Sequence, residues 1–267
     1  LYHHRSRCAI NPLTKRFALH QRRQAETCGY VVFSNTLLAT GKQLGYNITE
    51  GCFITLSLMI RASVPVRPLI LASASPRRRD LLALLGIPFR VEPADIDEVP
   101  PDGHSPEEIA RTLAREKAVA VARRQRSGIV IGADTIVVLA GEILGKPQDT
   151  QDALAMLRRL NGREHQVVTG ITVLDVVDGR VVQEQCDAVR TRVWFRQVSE
   201  EHLRRYVGTG EPMDKAGAYG AQGYGSTLIE RIEGCYFNVV GLPVSRLCAM
   251  LEEWGITPLQ AVLTSNA

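Results

Sequence analysis

Apolar and polar positions between residues 68 and 256 switch repeatedly between the period of a strand and that of a helix, which predicts a mixed α/β chain. Leu69-Ile70-Leu71-Ala72 is a short continuous apolar run, as a buried strand requires. Ser75-Pro76 then starts a helix with a hydroxyl cap and a proline in the first turn, and Gly86 closes it. Phe89-Arg90-Val91 predicts a short strand before an acidic, proline-rich loop, EPADIDEVPPDGHSPEE. Ser105, Pro106 and Glu108 spell a capping box for a helix reaching about Gln125. GIVIGADTIVVLAGEILGKP predicts two strands turning at Ala140-Gly141. Within it, residues 129–139 are apolar at both parities, the pattern of a central strand covered on both faces. A helix over residues 150–161 stops at Asn161-Gly162. HQVVTGITVLDVVDGRVV predicts a hairpin turning at Asp178-Gly179, and AVRTRVWFRQV a separate strand after it. Ser199 caps a helix to Tyr206-Val207. A glycine-rich loop, GTGEPMDKAGAYGAQGYG, precedes a last strand and a helix over residues 243–254. The expectation is one α/β domain of about 190 residues.

Composition changes the picture mainly at the N-terminal end. The net charge of +4 divides unevenly: seven Lys and Arg face two Glu before Met59, and 25 basic residues face 26 acidic ones from there on. The basicity thus belongs to residues 1–58, and the rest gives no support to nucleic-acid binding. Residues 1–58 hold no sustained period. Their basic, acid-poor composition is also that of a targeting peptide, while their Cys and His lack the paired spacing of a zinc site. The expected division is a basic extension over 1–58, poorly ordered or an artefact of the assigned gene start, and a working domain over 59–267. No apolar run approaches the roughly 20 residues of a membrane-spanning helix. Cys186, Cys235 and Cys248 form no motif, which suits a reducing compartment, and a cytoplasmic location is expected.

Several charges sit where a fold alone would not put them. Arg77, Arg78 and Arg79 occupy the first turn of a helix, where the dipole favours acids. They read either as a solvated cluster or as an anion site, since helix N–H groups, the Ser73 and Ser75 hydroxyls and bidentate guanidinium groups all suit phosphate. Lys117 falls at about 80° on a helical wheel from Ile109, inside the stripe formed by Leu113, Ala120, Ala110 and Val121. It either snorkels at a core edge or reaches into a cleft. Asp134 lies inside the doubly apolar strand, where an ionised carboxylate needs a partner or a metal. Gly132 and Ala133 before it leave room for something to approach. Lys146 in Gly-Lys-Pro and the Asp214-Lys215 pair are weak signals singly. With the arginines and with Asp97, Glu98 and Asp134, they make the set a metal-bound polyphosphate requires.

SASPRRRDLL, AREKA, GADTIVV, GKP, EPMDKAGAYGAQG and NVVGLP, in that order, resemble the Maf family of nucleoside triphosphate pyrophosphatases over residues 68 to 256. The resemblance does not reach residues 1–58. It implies an elongated mixed sheet with flanking helices, two lobes around a cleft, similar to the inosine triphosphatase type. It also implies divalent-cation-dependent hydrolysis of a nucleoside triphosphate to monophosphate and pyrophosphate. Arg77, Thr135 and Gln222 match the dTTP/UTP branch of the family; a sister branch acts on 7-methyl-GTP. Ala221 departs from the usual isoleucine.

On this reading water attacks the α-phosphorus. Asp134 is its base or orienter and Glu98, with Asp97, completes a site for Mg or Mn. Lys117, Lys146 and Arg78 neutralise phosphate charge, with Ser73 and Lys215 beside them. Arg77, Thr135 and Gln222 would read the pyrimidine edge. The expected role is removal of non-standard pyrimidine triphosphates, with a link to cell-division arrest, and the expected partners are the nucleotide and a second copy in a homodimer. The alternatives are 7-methyl-GTP hydrolysis and a nucleotide-binding regulator of septum formation with little turnover.

Overall fold

The longest apolar stretch of the sequence becomes the middle of a seven-stranded mixed sheet in the order β2-β1-β3-β5-β6-β7, with β4 paired to β3 off that path. The computed structural model describes residues 67–96 and 103–259. Residues 1–58, the proposed start at Met59, and the acidic-loop residues Asp97 and Glu98 lie outside the described residues.

Strand β1 (Leu69–Leu71) leads through helix α1 (Pro76–Ala83) to β2 (Phe89–Val91), then through α2 (Pro106–Ala122) to β3 (Gly128–Leu139). β1 runs parallel to both β2 and β3. All later pairings are antiparallel: β4 (Glu142–Leu144), β5 (Glu164–Val177), β6 (Arg180–Phe195) and β7 (Ile229–Glu233). Helix α3 (Thr150–Leu160) joins β4 to β5, α4 (Glu200–Gly208) follows β6, and α5 (Tyr236–Val240) and α6 (Val244–Glu253) end the described fold. Asp178 and Gly179 both take positive φ, 49° and 76°, as do Ala140 and Gly141, so the two predicted hairpin turns form where their sequences place them.

Alternation along β3 divides the core. Ile129, Ile131, Val137 and Leu139 join the large cluster with α1, α3, α4 and α6, while Val130, Ile136 and Val138 face α2. Ten of the eleven residues from 129 to 139 are buried and Thr135 is half-buried, as expected of a strand covered on both sides.

Two expectations need correcting. The hairpin return and the strand 188–198 are one continuous strand, β6, because β5 stays opposite it through the polar stretch Gln183-Glu184-Gln185, whose exposed or half-buried side chains do not interrupt the ladder. The room left by Gly132 is filled by α2. A Cβ there would sit 2.2 Å from the Ala114 carbonyl oxygen, and one at Gly170 would sit 2.0 Å from that of Ala110. These glycines admit a helix backbone to the sheet, not a ligand.

Candidate active site

The site begins with a split in the sheet. Along one edge, β3 pairs with β1 at Ile129, Val130 and Ile131, then with β4 at Val137, Val138 and Leu139. Among the described residues no strand pairs with that edge from Gly132 to Ile136. The other edge is held continuously by β5. The β1–α1–β2 group thus lies on one side of the gap and β4 with the glycine-rich loop on the other, two lobes joined by the long strands. A gap in a sheet exposes both faces of the strand behind it. Asp134 and Thr135, which point to opposite faces, therefore both line one cavity of about 620 Å³.

On the α2 face, Lys117 meets Asp134. The Nζ–Oδ1 distance is 2.5 Å, and the two side chains are only 9% and 8% exposed. The close approach of α2 at Gly132 and Gly170 is what lets a lysine on the apolar stripe end beside a carboxylate in the strand. The lysine's and the aspartate's burial costs offset one another only while both are present.

On the opposite face, Ser75 caps α1, its Oγ accepting from the Arg78 N–H at 3.4 Å. The Arg78 guanidinium is fixed by three donations: Nε to the Gly241 carbonyl at 2.8 Å, Nη1 to Ser73 Oγ at 3.3 Å and Nη2 to Thr135 Oγ1 at 3.0 Å. Ser73, buried in the turn after β1, thus orients an arginine. Arg77 Nη1 pairs with Asp214 Oδ2 at 3.0 Å. Arg79 turns to exposed Asp80 at 3.2 Å and does not line the cavity, so two of the three arginines face it.

The glycine-rich loop folds as three short 3₁₀ turns over Glu211–Asp214, Ala216–Ala218 and Gly223–Leu228. Glu211 ties the first turn to the third and to α4, Oε1 accepting from Tyr206 Oη at 3.1 Å and the Gly225 N–H at 3.0 Å, and Oε2 from the Tyr224 N–H at 2.9 Å. Burial, followed by the charge of Glu211, pushes the Tyr206 hydroxyl above its ordinary range, so it stays a neutral donor. Lys215 Nζ donates to the Glu211 carbonyl and to Asp214 Oδ1, the latter at 2.6 Å. Partial burial works against the Asp214 carboxylate, yet Lys215 and Arg77 together hold its pKa below the usual range. Gln222 and Lys146 are exposed at the cavity rim.

Ser73, Arg77, Arg78, Lys117, Asp134, Thr135, Lys146, Lys215 and Gln222 therefore share one cavity. Glu98 lies outside the described residues. Sequence reasoning missed Thr169, Asn238 and Gly241, which anchor the arginine side of the site; a threonine inside the apolar run VVTGIT and the polar residue of NVVGLP were the available signals. Among the described residues no three His, Cys, Asp or Glu side chains gather as a metal cage. One cavity carboxylate with an oxygen beyond its lysine contact still fits a magnesium-like ion, which uses one or two carboxylates and takes its remaining ligands from phosphate and water.

The Maf-like protein family matches residues 68–254. The chain is 50% identical over 194 residues to the dTTP/UTP pyrophosphatase of Pelotomaculum thermopropionicum, covering 73% of this chain and 100% of that protein. It is 51% identical over 186 residues to the dTTP/UTP pyrophosphatase of Geobacter sulfurreducens, covering 69% and 94%. A looser likeness, with 15% identity and a TM-score of 0.42 over 70% of this chain and 100% of the other, is to the Staphylococcus aureus Ham1 protein; at that distance it says nothing about chemistry. The chain belongs to the Maf family.

Proposed function

We propose that this protein hydrolyses dTTP and UTP to the monophosphate and pyrophosphate. The observation that carries the reading is the charge of the cavity: Arg77, Arg78, Lys117, Lys146 and Lys215 surround two carboxylates, Asp134 and Asp214. Such an excess of cations suits a polyanion, and a cavity of about 620 Å³ falls in the range of small-ligand sites. The pyrimidine preference rests on Arg77, Thr135 and Gln222 and on the names of the relatives.

In the proposed reaction a water oxygen bonds to the α-phosphorus as the bond from that phosphorus to the α,β-bridging oxygen breaks. Pyrophosphate leaves with the bridging oxygen. Asp134 orients the water and accepts its proton, with the neighbouring Lys117 compensating the carboxylate's charge. Arg78, Lys146 and Lys215 hold the phosphates, whose charge in the transition state is the main obstacle. A divalent cation, Mg or Mn, held by Asp134 and by Glu98, would neutralise phosphate oxygens when bound.

The test is a panel of UTP, dTTP, CTP, GTP and 7-methyl-GTP, assayed with several divalent ions and with separate detection of pyrophosphate and orthophosphate. UTP and dTTP should turn over best, with pyrophosphate as the product. Preference for 7-methyl-GTP, or nucleotide binding without pyrophosphate release, would contradict the proposal.

A further inference from the structure

The polar chain behind Thr135 has a direction that hydrogen-bond counting fixes. Thr169 lies directly across from Thr135 in the β3–β5 register, on the same face, and is fully buried. Its Oγ1 is 3.0 Å from the Asn238 carbonyl oxygen, which can only accept, so the single Thr169 hydroxyl hydrogen goes there. The 2.9 Å contact between the two threonine oxygens then has one solution, in which Thr135 donates and Thr169 accepts. Arg78 Nη2, a donor in every state, takes one Thr135 lone pair. Asn238 is itself immobilised. It is fully buried, and its Nδ2 donates to the Val167 carbonyl and to Thr191 Oγ1, each at 3.0 Å.

We infer that Thr169 and Asn238 are positioning residues that make the Thr135 hydroxyl an obligate acceptor toward the cavity, so that it selects bases presenting an N–H and rejects those presenting a lone pair. The hydroxyl's only hydrogen is committed inward, and one lone pair remains for a ligand. The imide of uracil and thymine offers a hydrogen at ring N3; cytosine offers a lone pair at the same place. An acceptor facing an acceptor leaves a desolvated polar atom without a partner, the situation that gives hydrogen-bonding sites their discrimination. This rests on the proposed pyrimidine-reading role of Thr135 and extends it to two residues with no place in the cavity wall.

Thr169→Val keeps the branched shape and removes the acceptor, leaving Thr135 able to rotate and donate. The ratio of kcat/KM for UTP to that for CTP should fall by about fivefold, the worth of one modest hydrogen bond. Thr169→Ser, which keeps the hydroxyl, should restore the ratio. Thermal unfolding run alongside separates folding from selection, and Thr169→Ala gives the same readout if the valine variant does not fold. An unchanged ratio in a folded Thr169→Val or Thr169→Ala variant, with the wild type preferring UTP, would overturn the inference and leave the proposed function standing. A wild type with no preference for UTP over CTP would overturn the inference and the pyrimidine reading together.

Discussion

Lys117 and Asp134 are each a burden to the fold alone. An ionised group this far from water loses several kcal/mol of hydration, and only the partner at 2.5 Å offsets it. Replacing Lys117 with methionine should therefore destabilise the protein by about 3–5 kcal/mol, because a buried carboxylate is left unpaired. The double variant with Asp134→Leu should regain most of that loss in urea unfolding; a double variant no more stable than the single one would contradict the pairing. Asp134→Asn is the complementary probe, since the amide oxygen still accepts from Lys117 while the base is gone. It should still fold, with an unfolding transition lowered because the buried ammonium keeps a hydrogen bond but loses its counter-charge, and should lose at least about 100-fold in pyrophosphate release.

Among elements, the position of α2 decides whether the site exists. The helix reaches the sheet only because Gly132 and Gly170 present no Cβ to the Ala114 and Ala110 carbonyls. Gly170→Ala should push α2 outward, draw Lys117 from Asp134, and cost at least about 1–3 kcal/mol of overpacking together with activity. A stable, fully active Gly170→Ala enzyme would show that the helix does not set the ion pair. The sequence makes α2 legible to within a turn, through its capping box and apolar stripe, and makes Lys117 conspicuous within that stripe. It does not reveal what Lys117 meets, since the pairing depends on β5 lying opposite β3 and on both glycines being filled by one helix. The same limit explains β6: a polar stretch reads as a break when its partner strand is unknown, and the ladder carries it through. Thr169 escaped notice for a related reason, because a lone threonine in a strand is ordinary until the register places it across from Thr135. The arginine cluster, the central strand and the glycine-rich loop were legible because their chemistry is local. That two arginines face the cavity and the third faces solvent follows only from the turn of α1 against β3.

At the scale of the whole molecule, the cavity wall is coupled to the core through Tyr219. This residue lines the cavity and packs edge-on against His165 and Phe195, with His165 Nε2 2.7 Å from its hydroxyl. Burial pushes the His165 pKa from an ordinary 6.5 down to about 4. Above the ordinary value both folded and unfolded chains hold the ring neutral, and this contribution to stability is complete. As pH falls toward 4, the unfolded chain takes up a proton that the native state refuses. Stability should therefore drop by about 3 kcal/mol across that interval. In His165→Gln the drop should be smaller by about 2 kcal/mol in urea unfolding compared at pH ~7 and ~4.5; an identical pH slope would contradict the assignment.

The cation-rich gap in the sheet is proposed to direct water to the α-phosphorus of a pyrimidine nucleoside triphosphate, and the fate of the water oxygen tests this most directly. Hydrolysis of UTP in heavy-oxygen water, with both products analysed by mass spectrometry, should place the label in the monophosphate and leave pyrophosphate unlabelled. Label in pyrophosphate, or labelled orthophosphate as the main product, would contradict the account.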